Sequence, residues 1–467
     1  MSREKTLIKN SLIYFIGNFS QKFIVFLLLP FYTHYLSTGE YGYFDLIVTM
    51  AGLVTPIITF QLNEGMYRHL LDARDKKEIQ IIISSTFFVV LKNLILFNLL
   101  FLVINYFIKL DNLFLILLYL NIVSLYSVFS QITRGLKKNI VFSVAGIINA
   151  IVNVSSNIIL IVLLDFRIEG MLLSLIFSFI ASFLYLEWKI RFSKYIKYRE
   201  VDIDTKKKLI RYSIPLIPNT INWWIMNLSD RYLINVFIGV EANGIYAAAN
   251  KFPSLLVVLN SIFYLAWQET AITEFNSKDK DRFYTKMFNN YMNFQLSMLL
   301  ILLSTSFIFV DFLLNNEFVE AYKYMPFLYI GAILNSFSSF YGTGFQSSKD
   351  TNKAFSSSIY GSLINIIGNI ILIPILGLLG AAISTMASFG VMWIIRIYQT
   401  KIYFDIRISN KKKLLVPIII MIFTSLYYMD NYTIKILSII LALIMMCILN
   451  RELFSKVIVR RKNKKEN

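Results

Sequence analysis

Apolar runs of roughly 20 residues recur from residue 10 to residue 450, separated by short charged segments. A run of that length crosses a hydrocarbon core of about 30 Å as an α-helix, which rises about 1.5 Å per residue. The bilayer interior offers no partner for backbone polar groups, so runs of this kind have to be helices, and the chain reads as an all-α integral membrane protein. Fourteen spans are expected, at 10–33, 43–66, 81–107, 113–133, 140–164, 169–190, 212–238, 243–270, 287–314, 323–346, 355–376, 379–400, 414–430 and 432–450. With 57% of its 467 residues hydrophobic and only 16% charged, the sequence leaves almost no chain for a soluble domain.

A formal net charge of +18 would suit a nucleic-acid binder, but the positions of the cations argue otherwise. Lysines and arginines concentrate in alternate loops. The other loops hold only Lys109, Arg167, Lys323 and Lys435, and Lys22, Lys92, Arg231, Lys251 and Arg396 fall within spans. This is the positive-inside pattern of a multi-span protein, with both termini expected in the cytoplasm and nucleic acid not expected as a partner. The start, "MSREKTLIKNSL", reads as the flank of an uncleaved first helix rather than a signal peptide. A lone Cys447 gives no disulfide framework, and His34 and His69 lack partners at ligand spacing, so no metal site is expected.

The two sides of the basic segment 191–211 look like copies. At a constant offset of 202, Leu7, Ile8, Lys9 and Ser11 correspond to Leu209, Ile210, Arg211 and Ser213, and Gly42 to Gly244. "NVSSNIILIVLL" (153–164) likewise matches "NIIGNIILIPIL" (365–376). The expected organisation is an N-terminal six-helix bundle (1–190), a basic cytoplasmic linker (191–211) that reads as a solvated loop near anionic headgroups, a second six-helix bundle (212–400), two additional helices (401–450) and a basic tail (451–467). An even number of spans per half makes the halves parallel repeats, with a cavity expected between them.

The stretches "NSLIYFIGNFSQKFIVFLLLPFYTHYLSTGEYGYFDL", "LSDRYLINVFIGVEANGIYAAANKF" and "NIIGNIILIPILGLLGAAIST" resemble the Wzx-type polysaccharide flippases. Those belong to the multidrug/oligosaccharidyl-lipid/polysaccharide exporter superfamily, together with the MATE-type antiporters and the lipid II flippases. The resemblance covers essentially the whole chain and implies a MATE-like fold and a transporter rather than an enzyme. It further implies a bacterial plasma (inner) membrane location and movement of an undecaprenyl-pyrophosphate-linked oligosaccharide for surface polysaccharide assembly. An ion gradient of H+ or Na+ would drive the movement, no cofactor is implied, and a polysaccharide polymerase and glycosyltransferases are further candidate partners. The alternatives are a MATE-type drug/cation antiporter and a lipid II flippase. A membrane enzyme would need an exposed loop with clustered chemistry, and the longest outer loop, 315–324, has no nucleophile–base or paired-carboxylate arrangement.

A cation at the centre of a membrane helix costs about 2.5 to 3.5 kcal/mol on insertion scales unless it is paired, hydrated or able to snorkel. Arg396 lies near the cytoplasmic end of its span and is expected to snorkel. Lys251 and Arg231 lie roughly 11 Å deep, and Lys22 and Lys92 roughly 17 Å from either end of their helices, which points to a water-filled cavity. Ser11, Asn18 and Lys22 share one helical stripe; Asn227, Arg231 and Asn235 share another. Ammonium and guanidinium groups hold phosphate oxygens and amides hold sugars, so Lys22, Lys92, Arg231, Lys251 and Asn18 are the candidate substrate-binding residues. Asp230, Glu64 and Glu269 are the candidate ion-coupling or gate residues. Adjacent on a helix, Asp230 and Arg231 project about 100° apart and need not pair. The uncharged stripes Asn149, Asn153, Asn157 and Ser358, Ser362, Asn365, Asn369 read as helix packing.

Overall fold

The computed structural model describes residues 26, 28–348 and 350–451, with the side chains of residues 262, 265, 266, 269 and 351 outside the description. The described chain is helical throughout: α1 (Leu29–Tyr35), α2 (Thr38–Ile58), α3 (Leu62–Asp72), α4 (Lys76–Ile108), α5 (Leu113–Gly135), α6 (Asn139–Asn157), α7 (Arg167–Ile190), α8 (Ile203–Ser213), α9 (Ile217–Phe237), α10 (Val240–Glu274), α11 (Lys280–Leu313), α12 (Met325–Ser347), α13 (Thr351–Leu376), α14 (Leu378–Thr400), α15 (Asn410–Tyr427) and α16 (Tyr432–Leu449). Nine of the described helices are long and apolar enough to cross a membrane by length and composition. Among the rest, α9 carries Asn, Asp and Arg along its length and α15 opens on three lysines, which lowers their mean hydropathy without shortening them. Each expected span from the third to the fourteenth coincides with a described helix, the second falls across α2 and α3, and the first lies mostly outside the described residues.

Contacts divide the chain into two compact units. One runs to Asn235 and takes in Gly239–Gly244; the other holds Val236–Ile238 and everything from Ile245 onward. In the first unit, α2 to α7 enclose a core in which Ile47, Ala51, Ile116, Leu120, Leu172 and Ile176 interlock. A second cluster, with Ile83, Val90, Val128 and Ile132, continues to Phe192 and Leu209 of the linker. In the second unit, α12, α13 and α14 pack at glycines: a Cβ on Gly380 would fall 2.2 Å from the Leu372 carbonyl oxygen.

Two local features differ from the sequence reading. The linker is not a free loop. Ser84 and Ser85 on α4 accept hydrogen bonds from the Lys197 and Asp202 amides (2.9 and 3.1 Å), Gln80 donates to the Lys194 carbonyl (2.8 Å), and Phe192 and Leu209 are buried. The serines satisfy backbone groups that a solvated loop would leave to water. The second span is also broken: α2 stops at Ile58 and α3 restarts at Leu62, with Phe60 and Gln61 in the left-handed region (φ 49° and 53°). Asn93 covers the freed Ile58 carbonyl at 2.9 Å. Side chains are disfavoured in this backbone conformation, so neighbours have to hold it there.

Candidate functional site

A capping box starts α2: the Ser37 hydroxyl accepts from the Glu40 amide, and the Glu40 carboxylate accepts from the Ser37 amide. One turn further, Gly42 crosses the start of α10. A Cβ on Gly42 would lie 2.1 Å from the Val240 carbonyl oxygen, and one on Gly244 would lie 1.9 Å from that of Thr38. Thr38 and Val240 are related by the same 202-residue offset as the two glycines, so the repeats meet reciprocally at this crossing. Asn243 secures it by donating to the Gly42 carbonyl at 2.9 Å.

From that crossing, α9 runs antiparallel along α2 and the break that follows it, and is fastened at four levels. Arg231 Nε donates to Asp45 Oδ2 at 2.6 Å. The Tyr232 hydroxyl donates to the Leu46 carbonyl at 2.8 Å, Trp224 Nε1 to that of Thr49 at 2.8 Å, and Gln61 Nε2 to the Thr220 hydroxyl at 2.7 Å. The signal is a stripe on α2: Gly42, Asp45, Thr49 and Gly52 fall at spacings of three, four and three, and so share one face. Asp45 is not among the candidate residues read from the sequence. Its position three residues after the crossing glycine was the available clue.

Asp45, Asp230 and Arg231 form a buried triad, with residue exposures of 6%, 2% and 7%. Arg231 Nη1 donates to Asp230 Oδ1 at 3.3 Å and to the Asn227 carbonyl at 3.1 Å, and the Arg231 amide donates to the same carboxylate at 3.0 Å. The adjacent Asp230 and Arg231 therefore do pair, because the guanidinium folds back along its own helix while Nε reaches across to α2. Two carboxylates face one guanidinium, so the three groups carry a formal charge of −1. The repeat copies of these positions are Ala247 for Asp45 and Leu29 for Arg231, so the repeat does not duplicate the charge pair.

A cavity of about 800 Å³ opens in the same unit, lined in part by Leu46 and Tyr232, the residues that follow Asp45 and Arg231. Its polar wall holds Glu40, Asp111, Glu169, Tyr43 and Asn235, above an apolar wall of Ile47, Met50 and Ile116. Arg167 pairs with Glu40 at 3.3 Å. Among the described residues the lining contains three carboxylates and no lysine or arginine.

The remaining candidates are dispersed. Lys92 is exposed on a face of α4 shared with exposed Leu91, Ile95, Leu96 and Leu99. Lys251 is half-buried on α10, two residues before Pro253. Glu64, on α3, accepts from Gln131 Nε2 at 2.7 Å, and Gln131 in turn accepts from Arg134 at 2.9 Å. Lys22 and Asn18 lie outside the described residues, as does the side chain of Glu269.

The asparagine stripes bridge helices as packing requires, Asn149 to Ser178 at 3.1 Å and Asn365 to Thr385 at 3.3 Å. Arg396 does not snorkel. It is 5% exposed and donates inward to the Ser357 hydroxyl (3.0 Å) and the Ser338 carbonyl (2.9 Å). Among the described residues no carboxylate lies within ion-pair distance of it. Gly342 makes the room, since a Cβ there would fall 2.7 Å from Arg396 Nη1.

Comparison with known proteins adds a family and a fold. Residues 7–268, more than half of the chain, match the family described as polysaccharide biosynthesis protein. An uncharacterized membrane protein of Methanocaldococcus jannaschii is 29% identical over 112 residues; the matched stretch is 24% of this chain and only 22% of that relative's length. Among solved structures, an inward-facing MATE-family multidrug resistance transporter superposes with a TM-score of 0.66 at 14% identity, covering 82% of this chain and 95% of the other. The lipid II flippase MurJ in an inward closed conformation gives 0.63 at 16% identity, covering 96% and 100%.

Proposed function

Because the chain belongs to the polysaccharide biosynthesis protein family and has the all-α membrane fold of those transporters, we propose that it moves a lipid-linked oligosaccharide across the bilayer by alternating access. The proposed cargo is an undecaprenyl-pyrophosphate-linked repeat unit, carried from the cytoplasmic to the outer leaflet and driven by a proton or sodium gradient. The family match carries this reading, and it covers the helices that hold Asp45, Asp230 and Arg231.

In this mechanism the triad is the element that exchanges partners. While Asp45 holds Arg231, α2 and α9 are locked together, and protonation of, or sodium binding to, either carboxylate would weaken that hold. Neutralising one carboxylate weakens the lock and frees guanidinium donors for phosphate oxygens, for which a planar fork is well shaped. Lys22, Lys92, Lys251 and Asn18 remain proposed substrate contacts, and Glu64 and Glu269 proposed gate residues. Deleting the gene and following lipid-linked oligosaccharide is the test: the reading expects build-up on the cytoplasmic side, reversed by wild-type protein and not by Arg231→Gln.

One observation favours a second reading, a drug/cation antiporter: the described lining of the 800 Å³ cavity is largely apolar with three carboxylates, Glu40, Asp111 and Glu169, which suits a cationic amphiphile. Drug hypersensitivity of the deletion strain without glycolipid build-up would select it.

A further inference from the structure

In the second unit, the end of α11, the turn segment Asn316–Tyr324, the end of α15 and the start of α16 enclose a cavity of about 310 Å³. Charges of both signs line it, Lys435 against Asp311 and Asp430, together with the rings of Phe307, Tyr322 and Tyr428. We propose that this cavity seats the headgroup of a phospholipid that carries both a phosphate and a primary ammonium, as phosphatidylethanolamine does. The phosphate goes to Lys435 and the ammonium to the two carboxylates.

Tyrosines build the frame. The Tyr322 hydroxyl donates to the Tyr427 carbonyl at 2.8 Å, the Tyr427 hydroxyl donates back to the Tyr322 carbonyl at 2.6 Å, and the two rings stack at 4.0 Å. The Tyr428 hydroxyl adds a bond of 2.6 Å to the Lys323 carbonyl. The segment and the α15–α16 turn are thus fixed to each other without a ligand, which lowers the ordering cost of binding. Inside that frame the Lys435 ammonium sits 5.5 Å from the centre of the Phe307 ring and 5.7 Å from that of Tyr322, on a side chain that is 18% exposed. Ring faces attract a cation without neutralising it. Asp430 Oδ1 stands 3.7 Å away on a fully exposed side chain, a pair that water screens and that is longer than a hydrogen bond. A phosphate oxygen at hydrogen-bond distance is a better partner for this ammonium.

The two acids bear on the same corner. Burial first, then the Tyr428 hydroxyl and the Asp311 and Asp430 carboxylates, push the Tyr322 hydroxyl above its usual range. Both acids are exposed, so they are open to an ammonium that a headgroup brings. A primary ammonium offers them three N–H donors, and a trimethylated one offers none. The level also suits a headgroup. Asp311 lies two residues before the end of α11, and Lys435 lies at the first turn of α16, where spans leave the hydrocarbon. Ile308 and Phe309 on α11 and Ile436 and Leu437 on α16 are exposed beside them, where acyl chains can lie. In the orientation expected from the basic loops this end is the outer one, where cations are few, so positive-inside bias does not account for Lys435.

The full-length protein, purified and equilibrated with equal amounts of phosphatidylethanolamine, phosphatidylglycerol and phosphatidylcholine, tests this by native mass spectrometry of the retained lipid. Wild type is expected to retain phosphatidylethanolamine over both others, since phosphatidylglycerol lacks the ammonium and the ammonium of phosphatidylcholine cannot donate. The double variant Asp311→Asn/Asp430→Asn alters two exposed side chains, and its preference for phosphatidylethanolamine over phosphatidylglycerol is expected to fall roughly tenfold. Lys435→Gln is expected to lower retention of phosphatidylethanolamine by a similar factor. Because Lys435 also packs against rings, Lys435→Arg, which keeps the charge, should retain the lipid and so separates lost charge from lost packing. Equal retention of the three lipids by wild type, or an unchanged preference in the double variant, overturns the proposal. Preferential retention of phosphatidylcholine overturns it too, since the rings would then be a cage for a quaternary ammonium.

Discussion

Arg231 and Asp45 join α9 to α2 across 2.6 Å inside the first unit, and Asp230 adds a second carboxylate 3.3 Å from the same guanidinium. Removing either partner from a buried pair strands a charge, which costs about 3 to 5 kcal/mol. The two removals are not equivalent. Asp45→Ala leaves Arg231 with Asp230, whereas Arg231→Ala removes the guanidinium that both Asp45 and Asp230 contact. Thermal unfolding in detergent should therefore rank Arg231→Ala below Asp45→Ala. The reverse order would mean that Asp230 does not compensate Arg231.

The Gly42–Gly244 crossing predicts that either glycine is intolerant of a methyl group. Gly42→Ala and Gly244→Ala each push a Cβ into a backbone oxygen that cannot swing aside, with an expected loss of about 1 to 3 kcal/mol. Because they spread the same crossing, the double variant should lose less than the sum. Gly39→Ala is the control: its Cβ would meet the Glu241 side chain at an ordinary 3.6 Å, so unfolding should be nearly unchanged.

Arg396 predicts a rescue. Gly342→Ala alone collides with Arg396 Nη1. Arg396→Met removes a buried charge that has no carboxylate partner among the described residues, and such replacements are often neutral or stabilising. Gly342→Ala should be harmful in the wild-type background and tolerated beside Arg396→Met. Equal harm in both would show that the glycine serves another contact.

Outside the spans, Asp350 caps α13 through the Lys353 amide, and its carboxyl is held below the ordinary value of 3.8, chiefly by the hydrogen bond from the Tyr403 hydroxyl. A depressed carboxyl contributes stability above its unfolded value and loses it as the pH falls through the lower folded value. Hydrogen exchange at the first turn of α13 should thus stay slow through pH 4 and quicken only below it. Tyr403→Phe should move that onset upward. An onset that ignores Tyr403 would remove its hydroxyl from the cap.

How far the sequence could be read depended on whether a feature was carried by period or by depth. Hydropathy and alternating basic loops located the helices, because crossing a bilayer imposes length and composition on every span. The correspondence of Gly42 with Gly244 was visible as an offset, but not that the two glycines touch, since a repeat specifies equivalence and not contact. Depth arguments failed at Arg396, which is near enough to a helix end to snorkel and instead turns inward to Ser338 and Ser357. Asp45 went unread because position along a helix says nothing about which face is buried. The break at Phe60 and Gln61 carries no glycine, so no local residue announced it.

In the proposed function the protein moves a phosphate-linked oligosaccharide lipid and the Asp45–Arg231 pair takes part in the movement. Proteoliposomes holding undecaprenyl-pyrophosphate-linked oligosaccharide test it through the time course with which the glycan becomes accessible to a lectin added outside. Accessibility is expected to rise with wild-type protein under an imposed ion gradient, and Arg231→Gln, reconstituted to the same level, is expected to stay at the protein-free rate. Unchanged accessibility with wild type, in vesicles that do carry a cationic dye against its gradient, would contradict it.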